Sequence, residues 1–558
     1  MKIYKYLLSI LLIICYFSLN SKSLVNYNVK GTNDSTLVSY FSNNLNNLTL
    51  GNIHTLDTTT ILTSFYEPLE KQYAIYQTLS NSGLAHKKID FFYPISIGFN
   101  SKLPAFESYI RNEDNIIFPI IYQPFTEIKY MMGDKKEQHL EVLFSREFLP
   151  NLFITLNYDV DFSPGVYKRS KMQNSFFNGS LRYNTKNNRY GISGYYYNNK
   201  IDIQENGGIK YDSIFTNNTE TDRSIIDVNL DDATNLIKVS GFSIDQYFNI
   251  LSQNVNKSKD STYKERKIDI GRINYHFAYQ RNRYVYEDTD PLSYFYQDFD
   301  PVIDSTRTFD SIYFHNISNV LYWNNLGYKK YNNDIPFYLT FGVEQNLTNL
   351  RANADIIINL FKSTRISGNA QLITTGYHAG DFFVEGQWKQ FLGTANKNFG
   401  ALKFDINLNR QSADWFEEYY YSNNFRWDND FNATTSLLLQ GSYELPFLTI
   451  GVKNTTIDNY IYFGTNAKPE QFSGTINISS LYSTFDVKFK RFEFIGFASL
   501  QTTNNENIVH IPSFQAKAKF AYNITLVKNI SMMQPSITIN YFTEYYADAY
   551  MPSLRTFY

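Results

Sequence analysis

The sequence predicts an all-β protein, a transmembrane antiparallel β-barrel of roughly 16–20 strands with a short irregular N-terminal segment. Apolar and polar residues alternate in many stretches of about ten residues, the length that a tilted strand needs to cross a membrane. Aromatic residues make up 17% of the chain, with 47 Tyr and 46 Phe, and both residues favour strands. A helical membrane protein would instead need repeated apolar stretches of about 20 residues, and the mean hydropathy of -0.36 argues against them.

Composition excludes several classes of function. The 51 basic and 53 acidic residues leave a net charge of -2, so the chain has no basic excess with which to bind nucleic acid. The single cysteine, Cys15, excludes a Cys-ligated zinc site, an iron–sulfur cluster and a disulfide framework, because each needs at least two thiols.

The first 23 residues have the order of a secretory signal peptide. Lys2 and Lys5 precede the apolar run 7–19, and small residues follow at Ser21 and Ser23. The run is too short to span a bilayer as a permanent helical anchor. We therefore expect residues 1–23 to be a signal peptide and the protein to be exported to the outer membrane.

Residues 24–110 are less regular and rich in Asn, Ser and Thr. We expect this part to form an N-terminal periplasmic or plug-like segment, and the pattern does not choose between the two. Residues 111–558 carry the alternation and are expected to form the barrel.

The alternation is clearest in residues 152–161. Leu156 and Tyr158 fall on one face of that strand, while Asn157 and Asp159 fall on the other. The same period of two recurs at 177–183, 190–196, 271–279, 337–343, 402–408 and 514–520. A soluble sandwich explains one such strand, but a sandwich of this size would usually divide into modules. The number and uniformity of the strands therefore favour a barrel in lipid.

The connections and the aromatic clusters extend this interpretation. The stretches 201–235, 250–266 and 284–311 are long and polar, as in the extracellular loops of outer-membrane barrels. Tyr195–Tyr197 and Tyr419–Tyr421 are expected at strand ends, as parts of the aromatic girdles at the membrane interfaces.

Charged residues on the polar faces are the candidates for lining a pore, where they would set the local field. An alternative is that they only solvate the barrel wall. Because both signs are mixed, we expect weak charge selectivity. The candidates are Glu127, Lys129, Glu141, Arg182, Arg189, Arg272, Lys403, Asp405, Lys517 and Lys519.

No motif of an enzyme or a cofactor site stands in the chain. The seven histidines are dispersed and lack the spacing of a metal-binding pair. His378 with Ser367 or Ser442 is conceivable as a catalytic pair, but Gly-x-Ser-x-Gly, phosphate-binding and dinucleotide-binding strings are all missing. We therefore expect no enzymatic activity, no cofactor and no metal.

Several strings resemble the putative porin family of Bacteroidota. Residues 118–147 contain Tyr-Gln-Pro-Phe-Thr-Glu at 122–127, Ser-Pro-Gly-Val-Tyr follows at 163–167, Glu-Asn-Gly-Gly-Ile at 205–209, and Tyr-Ala-Asp-Ala-Tyr-Met-Pro at 546–552. The resemblance covers nearly all of the chain after the signal peptide. It implies an outer-membrane β-barrel that forms a pore, and it does not imply a substrate. Members of the family continue beyond the last string, so we expect this chain to be truncated at its C-terminus; the alternative is that Tyr558 is the terminal aromatic residue that the barrel assembly machinery recognises.

The leading hypothesis for function is passive diffusion of small hydrophilic solutes through a water-filled barrel. The alternatives are a substrate-specific outer-membrane channel or transporter and a non-conducting structural or adhesin barrel. The expected partners are outer-membrane lipid and lipopolysaccharide, the barrel assembly machinery and small hydrophilic solutes, without nucleic acid. Formation of a homo-oligomer is left open.

Overall fold

The computed structural model describes residues 39–42, 54–55, 67–70, 73–95, 97–100, 103–121, 123–217, 220, 222–250, 253–255, 266–268, 270–290, 294–296, 303–326, 336–361, 363–394, 397–527 and 531–558. The predicted signal peptide, residues 1–23, lies outside the described residues. Residues 24–66 of the predicted segment 24–110 also lie outside the described residues, except for 39–42 and 54–55.

One large sheet of 19 strands dominates the fold. Each strand is named here in chain order. They are β1 (Phe125–Met132), β2 (Gln138–Leu149), β3 (Leu152–Ser163), β4 (Met172–Asn184), β5 (Tyr190–Gln204), β6 (Thr234–Asn249), β7 (Arg272–Asp288), β8 (Thr308–Asn324), β9 (Phe337–Asn346), β10 (Asn349–Leu360), β11 (Thr364–Thr375), β12 (Phe382–Thr394), β13 (Lys397–Gln411), β14 (Thr434–Leu445), β15 (Leu448–Phe463), β16 (Pro469–Phe489), β17 (Phe492–Thr503), β18 (Phe514–Tyr522) and β19 (Ser536–Phe542).

The strands follow one another in chain order around a barrel, in which β19 comes next to β1. Every consecutive pair from β1 to β19 forms an antiparallel ladder, as in the hairpin of β2 with β3 and the final pair of β18 with β19. Because 19 is an odd number, β1 and β19 run in the same direction. They therefore meet without an antiparallel ladder.

Burial in this sheet is inverted relative to a soluble protein. On β18, Lys517 and Lys519 are only 4% and 3% exposed, whereas their neighbour Phe520 is 47% exposed. On β3, Asp159 is buried and Tyr158 is exposed. The alternation therefore directs polar side chains into the barrel and apolar side chains outward, as the sequence predicted for these strands.

Connections of different length separate the two ends of the barrel. The end at which β5 is followed by β6, β7 by β8 and β13 by β14 is called the loop end, and the opposite end, with two-residue turns such as 446–447 and 490–491, is called the turn end. Consecutive connections of an antiparallel sheet lie at opposite ends. Asn249 of β6 and Arg272 of β7, the strand ends on either side of 250–271, therefore lie at the turn end, and the prediction that 201–235, 250–266 and 284–311 share one side was wrong for 250–266.

The aromatic clusters also differ from the prediction. Tyr195–Tyr197 lies within β5 rather than at its end, and Tyr195 and Tyr197 face inward, each 4% exposed. Tyr419–Tyr421 forms a small hairpin with Arg426–Asp428 in a loop. Neither cluster belongs to an interfacial girdle.

Elements outside the sheet are short. Helical turns span Pro68–Glu70, Pro104–Tyr109, Glu113–Asn115, Asp134–Lys136, Asp212–Thr216, Arg223–Ile225, Tyr294–Tyr296 and Trp415–Glu418; short strand pairs join Ser39–Ser42 to His54–Thr55 and Ile117–Ile120, Tyr76–Thr78 to His86–Lys88, Gln253–Val255 to Arg266–Ile268, Ile524–Val527 to Ser531–Met533, and Tyr550–Met551 to Thr556–Phe557. Within the described part of the chain, no helix has the length and apolar character to cross a membrane.

Residues 67–121, as far as they are described, are called the inner segment, because they pack against the inward face of the barrel. Phe106 and Tyr109 of the inner segment form one hydrophobic cluster with Tyr195 and Ile201 of β5. The barrel itself begins at Phe125. Residues 543–558, called the terminal tail, contribute Tyr550 to the same cluster.

Candidate functional site

The inner segment is bound to one side of the barrel, β3–β7, by charged and polar groups. The Arg111 guanidinium donates to the Asp159 carboxylate of β3, and the Asp159 side chain is 3% exposed. Glu113 accepts a hydrogen bond of 2.6 Å from the Tyr195 hydroxyl and lies 3.7 Å from Nε2 of His276. A buried carboxylate is stable only with such a partner, so the wall and the inner segment satisfy one another.

Equivalent contacts join the inner segment to β17 and β18, on the other side of the line where β19 comes next to β1. Nζ of Lys517 donates to the Glu70 carboxylate at 2.9 Å. The Gln501 side chain accepts from the Phe91 amide at 3.3 Å and donates to the Ile89 carbonyl at 3.1 Å. The inner segment therefore contacts the wall on both sides of the line where β19 comes next to β1.

A small buried core anchors the inner segment. His86 packs edge-to-face against Tyr76 and Tyr109, and burial lowers the pKa of His86 to about 4. Glu67 accepts hydrogen bonds from the Ser82 and Tyr109 hydroxyls. Burial raises the pKa of Glu67 despite these donors.

The terminal tail enters the barrel at the loop end. Asp548 pairs with Lys87 of the inner segment and with His510 at 2.5 Å. Arg555, 1% exposed, donates to Asn235 at 3.2 Å. Met551 and Leu554 join an aromatic cluster of loop residues that includes Tyr296, Phe425 and Trp427. This cluster covers part of the loop end.

Charges on the inward faces of β9–β14 pair with one another. The pairs are Arg351 with Glu344, Lys389 with Glu444 at 2.6 Å and Lys403 with Asp405 at 3.0 Å. The three cationic side chains keep 23–27% of their surface exposed. This part of the wall is therefore polar, of mixed sign and only partly covered.

The ten residues predicted to line a pore are spread around the barrel rather than gathered in one site. Nine lie at inward-facing strand positions, namely Glu127, Lys129, Glu141, Arg182, Arg272, Lys403, Asp405, Lys517 and Lys519. Two sets pair locally, because Lys129 lies 3.3 Å from Glu127 and 3.4 Å from Glu141 and Lys403 pairs with Asp405. Arg189 differs: it lies in the turn before β5, and its guanidinium is 5.0 Å from the ring of Phe248, an outward-facing residue.

A cavity of about 310 Å³ opens between the inner segment and the loop end of β1–β3. Its lining includes Glu67, Glu70, Asp134, Glu137 and Lys135, together with the hydroxyls of Ser80, Ser82 and Ser163. Acidic groups outnumber the single cation. The cavity therefore suits a polar or positively charged solute better than an anion.

The histidines form contacts that the sequence did not predict. At His276, Ser243 Oγ and Asp245 Oδ1 both approach Nδ1, at 3.3 and 2.6 Å, whereas an acyl-transfer triad needs its Ser and Asp on opposite ring nitrogens. Nδ1 of His378 lies 3.0 Å from the Asn349 amide.

His139, Glu141 and Asp159 come together across the hairpin of β2 and β3. Sequence reasoning compared histidines only with each other and missed this group. The signal was present: His139-x-Glu141 and Asp159-x-Asp161 are placed symmetrically about the turn at 150–151, so a hairpin centred there pairs them.

Comparisons with known proteins support the barrel fold. The chain matches a mutant of the ferric enterobactin receptor PfeA from Pseudomonas aeruginosa with a TM-score of 0.53 at 9% identity, covering 94% of this chain and 88% of that chain. It matches the ferric yersiniabactin uptake receptor FyuA from Yersinia pestis with a TM-score of 0.53 at 10% identity, covering 81% of this chain and 73% of that chain. Identities this low show similarity of fold alone.

The comparison with curated proteins finds no match. The family model described as "Putative porin" matches residues 36–558, which is nearly the whole chain. The protein therefore belongs to this porin family, as the strings at 118–147 and 546–552 led us to expect.

Proposed function

We propose that the chain is an outer-membrane β-barrel channel for small hydrophilic solutes, and that the inner segment limits its conductance. Membership of the porin family supports the channel. The inverted burial supports a position in a membrane, because exposed apolar side chains on the outward faces suit acyl chains while the buried polar faces suit an aqueous interior.

The observation that carries the proposal is the double attachment of the inner segment. Arg111 is bound to β3, and Glu70 is bound to Lys517 of β18. A segment held on both sides of the line where β19 comes next to β1 occupies part of the interior and narrows the passage. The sequence led us to expect passive diffusion through a water-filled barrel; we now propose a passage that widens when these contacts break.

We place the solute path along β9–β14. Its wall carries the ion pairs of Lys389 with Glu444 and of Lys403 with Asp405. Paired charges of both signs attract water without favouring one ion strongly. Weak charge selectivity accordingly stays a prediction of this proposal.

The acidic cavity beside Glu67 and Glu137 favours a second candidate, a substrate-specific channel. In that case a cationic or hydroxyl-rich solute would occupy the cavity and reduce the current. Block of the current by such a solute, and not by an anionic solute of the same size, would support the specific channel over the general one.

The test is reconstitution of the full chain in planar bilayers with measurement of single-channel conductance. We expect a small conductance for the unchanged protein. We expect a clearly larger one for the double variant Glu70→Gln/Arg111→Gln, because the inner segment loses one ion pair to β3 and one to β18.

The matched control is Lys200→Gln/Asp202→Asn, which removes an exposed ion pair of 3.0 Å on the outward face of β5 and should leave conductance unchanged. Absence of conductance in every form would overturn the channel proposal and favour a structural or adhesin barrel. Equal conductance in the unchanged protein and the Glu70→Gln/Arg111→Gln variant would overturn the role given to the inner segment.

A further inference from the structure

Four side chains with metal-binding groups share the inward face of one hairpin. His139 and Glu141 lie on β2, and Asp159 and Asp161 lie on β3. The register pairs His139 with Asp161 and Glu141 with Asp159. Directly opposite residues of an antiparallel pair have neighbouring Cβ atoms, so the four side chains converge on one spot of the wall.

The donor atoms of this group are close enough to share one ion. One donor atom each from His139, Glu141 and Asp159 lies within 4.8 Å of the others. Nδ1 of His139 is also in contact with a carboxylate oxygen of Asp161 and lies 3.6 Å from Oδ1 of Asp159. His139 and Asp159 are 5% and 2% exposed, so the group is shielded from bulk water.

A second observation points to a ligand at this spot. Oδ1 of Asp159 is buried and has no hydrogen-bond partner, while the other oxygen of the same carboxylate is bound by Arg111. An uncompensated buried carboxylate oxygen is costly, and this one faces the imidazole of His139. The arrangement leaves a donor position that the protein itself does not fill.

The charge balance agrees with this reading. Four carboxylates, Glu127, Glu141, Asp159 and Asp161, meet two cations, Arg111 and Lys129. The imidazole of His139 completes the set as a nitrogen donor. A bound cation would offset the remaining negative charge and supply the missing partner of Asp159.

We propose that His139, Glu141 and Asp159, assisted by Asp161, bind one divalent transition-metal cation at the junction of the barrel wall and the inner segment. One imidazole nitrogen with several carboxylate oxygens suits Zn²⁺ or Mn²⁺. The site goes beyond the proposed channel function. It places the cation beside the Arg111 contact that holds the inner segment.

The acidic cavity supplies a route to the site. Two residues that line this cavity are neighbours of the site in sequence. Glu137 lies two residues before His139, and Ser163 lies two residues after Asp161. A cation that enters from the loop end therefore meets the carboxylates of the cavity before it reaches His139.

The test is metal titration of the tag-free, detergent-solubilised full chain after dialysis against a chelator. Mn²⁺ binding is followed by the loss of the free-ion electron paramagnetic resonance signal, and Zn²⁺ is added as a competitor. We expect one Mn²⁺ per chain, displaced by Zn²⁺. His139→Gln and Asp159→Asn should each weaken binding at least about tenfold, because each removes a donor atom.

The matched control is His315→Gln. His315 lies on the outward face of β8, away from the His139 group, so its substitution should leave metal binding unchanged. Arg111→Gln should keep the site and tighten it, since a neighbouring positive charge is lost. The proposal is overturned if the unchanged chain binds no Mn²⁺ or Zn²⁺, if His139→Gln binds as tightly as the unchanged chain, or if Arg111→Gln abolishes binding. Because the readout is binding rather than conductance, its failure leaves the channel proposal unaffected.

Discussion

The two sides of the barrel interior satisfy their charges in different ways. On β3 and β18, Asp159 and Lys517 are 2% and 4% exposed and find their partners on the inner segment. On β12 and β13, the side chains of Lys389 and Lys403 keep 26% and 23% of their surface exposed and find partners on the wall itself. The first side needs the inner segment for its stability, and the second does not.

This difference predicts where mutations have large effects. Loss of one partner from a buried ion pair costs about 3–5 kcal/mol, whereas a solvent-screened pair contributes about 1 kcal/mol or less. Substitutions on the first side should therefore release the inner segment. Equivalent substitutions on β9–β14 should leave it in place.

The largest effect is expected for Phe106→Ala. Phe106 is fully buried in the cluster that joins the inner segment to β5, and such a truncation costs up to about 5 kcal/mol. The inner segment should then become sensitive to protease in detergent. The control is Ile357→Ala, which shortens a buried side chain on β10; equal proteolysis in the two variants would contradict the comparison.

Arg111→Gln comes next. It leaves the buried Asp159 carboxylate without its cation, which should cost about 3–5 kcal/mol of inner-segment docking. Protease sensitivity and conductance should rise together. Lys389→Gln, which breaks the partly exposed pair with Glu444, should change docking by about 1 kcal/mol or less. The comparison is contradicted if Lys389→Gln raises protease sensitivity as much as Arg111→Gln does.

Acid should also weaken docking, through His86. Its pKa is lowered from 6.5 to about 4, so the folded state favours the neutral ring and the released state binds a proton first. The contribution of neutral His86 to docking of the inner segment is fully present above pH 6.5. It is lost as the pH falls toward 4, and the loss amounts to at most about 3 kcal/mol. Protease sensitivity measured against pH should show this loss, and His86→Gln should flatten the profile.

The smallest effect is expected for Lys403→Gln on β13. Its removal leaves Asp405 in a partly hydrated wall, so stability should change by less than about 1 kcal/mol. The reversal potential under a salt gradient should shift slightly toward cation preference, because one positive charge of the path is lost. A shift toward anions would show that this wall is not the solute path, and a loss of folding would contradict the small change in stability.

The barrel strands were predictable because their signal is local. The alternation in 152–161 and 514–520 assigns each face without knowledge of any neighbour, and the structure confirms both. The same rule, applied strictly, would have turned Tyr195 and Tyr197 inward. They were instead assigned to a girdle because three adjacent tyrosines resemble one.

The filling of the interior was not predictable in the same way. Arg111 and Asp159, or Glu70 and Lys517, are remote in sequence, and no period marks their contact. The group of His139 with Asp159 is intermediate in predictability. Its residues lie on two strands, but the position of a single hairpin turn is enough to pair them. Assigning consecutive connections alternately to the two ends of the barrel would likewise have assigned 250–266 to the turn end.

The odd number of strands has a mechanical consequence. β1 and β19 point the same way, and their outward side chains Ile128 and Ile539 are 67% and 63% exposed, more than most of the outer surface. Every other neighbour in the wall is fastened by an antiparallel ladder. Pulling or strong denaturant should therefore part the wall along this line first, so that the protein opens from its two ends toward the middle of the chain.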